Sequence, residues 1–188
     1  MNEHWENKSG NWDFESLYFL KYEECEAVFR SLPAPDPEEM NGEYSGHMLN
    51  YIQPRVHALA DGVTDWLGKC FRPVSIIKGV TGEGYNAYRS NGVYLRGNQL
   101  AWKIGPSRLD GQPAMLADYK YFDNDLRPSQ LIDEIRKAGE GLYFGMGISD
   151  ASELEPVAWK PNYFILVGPR GSWVGADKDD PIVEGERA

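Results

Sequence analysis

Two hydrophobic periodicities divide the chain. Between Asn11 and Leu32 apolar residues recur at helical spacing, with Phe14, Leu17, Tyr18, Cys25, Val28 and Phe29 on one side and Glu15, Lys21, Glu23, Glu24 and Glu26 on the other. One helix over 12–32 is predicted, ended by Pro33, Pro35 and Pro37, which cannot continue it. That stiff connector is suited to holding the helix across the open end of a barrel. From Met40 onward the period becomes two. Tyr44, Gly46 and Met48 share one strand face, and Glu43, Ser45, His47 and Leu49 share the other. Two glycines flanking Tyr44 predict a sharply bent strand with a neighbouring chain lying close.

Further strands are predicted in series. Arg55–Val63 reads as a short helix, after which Trp66–Phe71 leads into Val74–Val80. Tyr85–Arg89 and Val93–Leu95 flank Ser90-Asn91-Gly92, and Asn-Gly is a strong hairpin signal. Leu100–Ile104 and Ala114–Tyr121 flank Asp110-Gly111, Leu131–Arg136 and Leu142–Ile148 flank a Gly-rich turn, and Tyr163–Val167 is the last strand. About eight short strands with tight turns indicate a mainly β, antiparallel barrel with an N-terminal helix. An open sandwich is the structural alternative. No internal repeat or linker divides the chain, so residues 1–188 read as one domain, with the barrel over 40–168 and a loose acidic tail over 175–188.

Composition narrows the function classes. Aromatic residues make up 13% of the 188 positions, which suits a β-rich protein with aromatic packing surfaces. The formal net charge of −10, without a basic stripe, argues against nucleic acid and against anionic membrane surfaces. No apolar run approaches membrane-spanning length. Met1–Gly10 has no apolar core of a secretory signal, so a cytoplasmic location is the default expectation. Cys25 and Cys70 form no CxxC pair and histidines occur only at 4, 47 and 57, so no metal site is expected. Two buried free thiols are the preferred reading over a lone disulfide.

Several segments carry a family likeness. Phe29-Arg30-Ser31-Leu32-Pro33 followed by Glu38-Glu39-Met40-Asn41-Gly42-Glu43-Tyr44-Ser45-Gly46 resembles the start of the GXWXG domain, with Tyr44 where that family has Trp. Trp66-Leu67-Gly68-Lys69-Cys70-Phe71 is similar to its second conserved segment, with Cys70 replacing a basic residue. Met115–Tyr119, Leu131–Arg136, Gly141–Gly147 and Tyr163–Leu166 resemble the partner domain that commonly follows. The likeness covers roughly residues 27–167 in short patches. It implies a lipocalin-like (calycin) barrel and carries no catalytic residues across. Related nitrobindin-like barrels bind haem through a late histidine; this chain has none after His57, and no cofactor is expected.

Candidate chemistry comes in three groups. The first is Asp118, Asp133 and Arg136 with Tyr119 and Tyr143. Asp133 and Ile135 share one strand face, and Arg136, Glu134 and Ile132 share the other. The charged residues read as a structural ion pair or wet strand face, or more sharply as a polar handle for a ligand head group. The second group is His47 with Glu43 on one face, a potential base and its orienter. Four residues along a strand span about 13 Å, so a structural role competes. The third is Tyr85-Asn86-Ala87-Tyr88-Arg89, either cavity lining or cross-strand packing. The Gly79–Gly84 glycines lack a Lys-Ser/Thr end and read as a turn; Lys69 after Gly68 is likewise no phosphate loop. Two functions stay in play. One is binding of a small apolar or amphipathic molecule in a cup lined by Tyr44, Tyr85, Tyr88, Tyr119 and Tyr143, with Arg89, Asp133 or Arg136 as anchors and His47 nearby. The other is a cofactor-free enzyme (cyclase, isomerase or lyase) with Asp118 or Asp133 moving the proton. A homodimeric structural protein is a third, blander reading.

Overall fold

The β-branched and aromatic segments do form strands, and the strands close on themselves. A computed structural model describes residues 12–49, 65–124, 131–149 and 161–177. Its strands are β1 (Gly42–Met48), β2 (Asp65–Arg72), β3 (Gly82–Ser90), β4 (Val93–Pro106), β5 (Pro113–Asp118), β6 (Leu131–Gly139), β7 (Leu142–Ser149) and β8 (Asn162–Gly171). Each pairs antiparallel with the next, and β8 pairs back to β1 through Met48↔Phe164 and Gly46↔Leu166. Closure leaves no exposed sheet edge. Residues 50–64, which include the helix predicted over Arg55–Val63, lie outside the described residues.

The hairpin chemistry is where the Asn-Gly signal placed it. Asn91 and Gly92 sit at φ 49° and 79° between β3 and β4, the left-handed pair a two-residue hairpin requires. Val74–Val80 does not extend the barrel. β2 stops at Arg72, and Val74 and Ile76 are exposed beyond it. The strand predicted to Tyr121 ends at Asp118.

The predicted single helix is two: α1 (Phe14–Tyr18) and α2 (Tyr22–Ser31). Lys21 is extended between them, and its backbone N–H donates to Glu24 Oε2 at 2.9 Å, which starts a fresh helix. The helices do not cross a barrel end either. Leu17, Cys25, Val28 and Phe29 pack on the outward side chains of β7 and β8, Phe144, Met146, Tyr163 and Ile165. The Pro-rich connector performs the capping task instead. A 3-10 turn at Pro37–Glu39 delivers Met40, fully buried, into the interior cluster at the lower end, where β1 begins. Tyr44 fixes this segment: its hydroxyl donates to Glu39 O at 2.6 Å and accepts from Asn41 N at 3.2 Å.

The lumen divides into two halves. Its lower half is apolar, built from Tyr44, Phe71, Leu100, Trp102, Met115, Ile135, Tyr143 and Leu166 around Met40. Its upper half, where β1 ends and β2 begins, holds charge.

Candidate functional site

The upper lumen is organised by an irregularity in β2. Trp66 pairs with Tyr88 and Gly68 with Ala87, so Leu67 is an extra residue in the ladder. This bulge places Trp66 and Lys69 on the same face although they are three positions apart, against the strict alternation of a regular strand. The bulge needs Gly68, which sits at φ 142°, where a methyl group would lie 1.9 Å from Tyr44 O. Across the strand pair, Gly46 leaves room for the Trp66 ring, since a methyl there would fall 2.4 Å from it.

Lys69 therefore points into the barrel, 4% exposed, and its ammonium meets three acceptors: Asp133 Oδ2 at 2.6 Å, Tyr119 Oη at 2.6 Å and Asn86 Oδ1 at 2.8 Å. Tyr119 donates its proton to Asp133 Oδ2 at 2.8 Å and accepts from Asn86 Nδ2 at 2.9 Å. Asn86 Oδ1 also takes the Trp66 indole N–H at 3.0 Å. The network reaches Tyr88, whose hydroxyl accepts from Asn98 Nδ2. The rings of Trp66, Tyr119 and Phe164 surround the ammonium at 5.3 to 5.5 Å, close enough for their negative faces to favour it. Burial holds the Tyr119 hydroxyl well above the usual tyrosine range, reinforced by the Asp133 carboxylate. It is a hydrogen-bonding phenol at every physiological pH. An ion pair removed from water costs several kcal/mol per ion unless hydrogen bonds satisfy it, and here Tyr119 and Asn86 supply them.

The structure gathers some predicted residues here and scatters others. Asp133, Tyr119 and Tyr88 meet in the upper lumen. Tyr44 and Tyr143 face the lumen but belong to its packed lower half, with ring centroids 5.5 Å apart and both nearly fully buried. Burial raises the Tyr44 hydroxyl to about 12. The remaining candidates lie outside the barrel, because strand alternation puts them there. Asp118 faces outward with Lys120 at 3.6 Å. Arg89 is exposed at the end of β3.

His47 lies against the Phe14 ring, 4.9 Å between centroids, and its pKa is lowered by burial and by Arg170. Its proposed partner Glu43 serves other residues on the outer wall, taking Tyr85 Oη and Arg96 Nε each at 2.8 Å. Tyr85 is covered there by Trp173, at 4.9 Å between ring centroids, so it lines no lumen.

Arg136 is the clearest correction. It is fully buried on the outer side of β6 and uses all five N–H donors structurally. Nη1 and Nη2 grip Asp110 at 2.9 and 2.7 Å, and further bonds reach Phe29 O, Gln112 O and Pro113 O. The expected carboxylate–guanidinium pair is thus replaced by two separate pairs, Asp133–Lys69 inside and Asp110–Arg136 outside.

Lys69 and Trp66 are not picked out as site residues by the sequence pattern, and Asn86 enters only within the Tyr85–Arg89 group. Lys69 after Gly68 makes no phosphate loop, and regular alternation sets it opposite Trp66. The readable signal was Gly68 between them.

Comparisons with known proteins add the architecture. A solved structure, described as the crystal structure of a protein from Thermomonospora curvata, is similar to this chain with a TM-score of 0.53 and 17% identity, over 79% of this chain and 88% of that one. No family model and no curated protein matches the chain. Among the described residues, no group of three or more His, Cys, Asp or Glu is placed to hold a metal. Cys25 and Cys70 are both free and buried. No described helix is long and apolar enough to cross a membrane.

Proposed function

We propose that this protein binds a small apolar or amphipathic molecule in the upper half of its barrel. The observation that carries the reading is the Lys69–Asp133 pair. The lower half supplies an ordinary core, and a core gains no stability from exchanging apolar side chains for a buried ion pair. A polar cluster ringed by Trp66, Tyr119 and Phe164 has the make-up of a ligand site: apolar walls with a few converging polar groups. The same reading treats the barrel as lipocalin-like and its first strands as related to the GXWXG domain. Tyr44 and Gly46 both facing the lumen, with the Trp66 ring over Gly46, supports it.

The catalytic alternative relied on a lumen carboxylate free of any cation. Asp118 faces outward and Asp133 is paired with Lys69, which favours binding over proton transfer.

Native mass spectrometry of the protein purified from its host tests the reading. A co-purified small molecule is expected. On adding the extracted molecule back to apo protein, the Trp66 indole and Gly147 amide resonances should shift. A bare mass, together with no lumen shift from any member of a fragment library, would overturn it.

A further inference from the structure

The polar network has one unused valence, and its sign constrains the guest. Lys69 gives its three protons to Asp133, Tyr119 and Asn86. Tyr119 donates to Asp133 and accepts twice. Asn86 accepts from Trp66 and Lys69 and donates to Tyr119 and to Asn98 O. The donors of these groups are engaged. Both bonds to Asp133 end on Oδ2, and among the described residues Oδ1 receives none. At a side chain 6% exposed, Oδ1 keeps contact with solvent, so a guest that covers it must replace the donor that water supplies. Oδ1 faces Gly147, its register partner on β7, where a methyl group would stand 3.0 Å from it.

We infer that the bound molecule presents a neutral hydrogen-bond donor, an O–H or N–H on a flat aromatic or otherwise apolar body, to Asp133 Oδ1. This rests on the small-molecule reading above and specifies its head group. An anionic head is disfavoured because it would meet an acceptor and no free donor. The Lys69 charge is already offset by Asp133, so no net cation awaits it. A guest without a donor would cover Oδ1, displace its water and leave the carboxylate oxygen unpaired, which is the arrangement binding sites discriminate against most strongly.

Three probes sharing one bicyclic body separate the outcomes at pH 7: 2-naphthol, 2-methoxynaphthalene and 2-naphthoate. Titration is followed by calorimetry and by the Trp66 indole and Gly147 amide resonances. 2-Naphthol should bind at least about 10-fold tighter than its methyl ether, a gap of about 1.4 kcal/mol, with 2-naphthoate weakest. Gly147→Ala, which sets a methyl group 3.0 Å from Oδ1, should erase the advantage of 2-naphthol. If that variant does not fold, the ranking on the unaltered protein decides by itself. Equal binding of the alcohol and the ether, or tightest binding of the naphthoate, overturns the donor assignment while leaving small-molecule binding standing. Absence of lumen shifts with all three probes overturns the binding reading itself.

Discussion

Lys69 and Arg136 are both buried cations, and they do different work. Arg136 ties Phe29 O at the end of α2, Asp110 and Gln112 in the β4–β5 turn, and Pro113 O together. Its pairing holds the Asp110 carboxyl below the usual carboxylate range. A group with a depressed folded pKa adds stability above its unfolded value, near pH 4, and loses that contribution as pH falls through the folded value. The melting temperature should therefore drop on acidification below about pH 4, and less steeply in Asp110→Asn; thermal melts of both proteins between pH 7 and 2.5 check this. Lys69→Met strands Asp133 without a cation and should cost about 3–5 kcal/mol, whereas Lys69→Met with Asp133→Leu should recover much of that loss. Urea denaturation of the two variants decides; equal losses would show that packing of the lysine stem, not charge, is what matters. Burial raises the Cys70 thiol to about 11. With both cysteines buried, Ellman's reagent at pH 8 should find no thiol in the native state and two after denaturation.

At the scale of elements, the connector from Leu32 to Gly42 governs how the lower end is sealed. Tyr44 reaches back to Glu39 O and Asn41 N, and Lys137 N donates to Pro33 O at 2.8 Å. Tyr44→Phe keeps the ring but takes the hydroxyl away from Glu39 O and Asn41 N, which keep only their 3.0 Å bond to each other. A loss of about 1 kcal/mol is expected, with faster hydrogen exchange at the Asn41 amide as its local signature. The strand elements were legible in the sequence because alternation and turn residues both marked them: Asn91-Gly92, Asp110-Gly111 and Glu140-Gly141 all stand at or beside reversals. The helix break was not legible, because Leu17 and Cys25 keep helical phase across Leu20 and Lys21 and only the capping contact to Glu24 reveals the interruption. Val74 and Ile76 misled for the opposite reason: their composition is that of a strand, but among the described residues no strand pairs with them.

At the scale of the molecule, alternation separated Asp133 from Arg136 onto opposite faces of β6 but did not tell which face was inside: Tyr85, Asp118 and Arg136, expected in the cup, lie on the outer wall. What the sequence could not supply was which residues from different strands converge. Lys69, Asn86 and Asp133 come from β2, β3 and β6 and Tyr119 follows β5, and only closure of the sheet joins them in one hydrogen-bonded cluster. The site is a product of topology more than of any local motif, and no short pattern marks it. The bulge at Leu67 adds a consequence for how such a protein changes over time. Removing that single residue would restore strict alternation, swing the Trp66 indole out to solvent and keep Lys69 where it is. On the proposed binding reading, a change in strand length, rather than any substitution, is then the shortest mutational path from one guest to another.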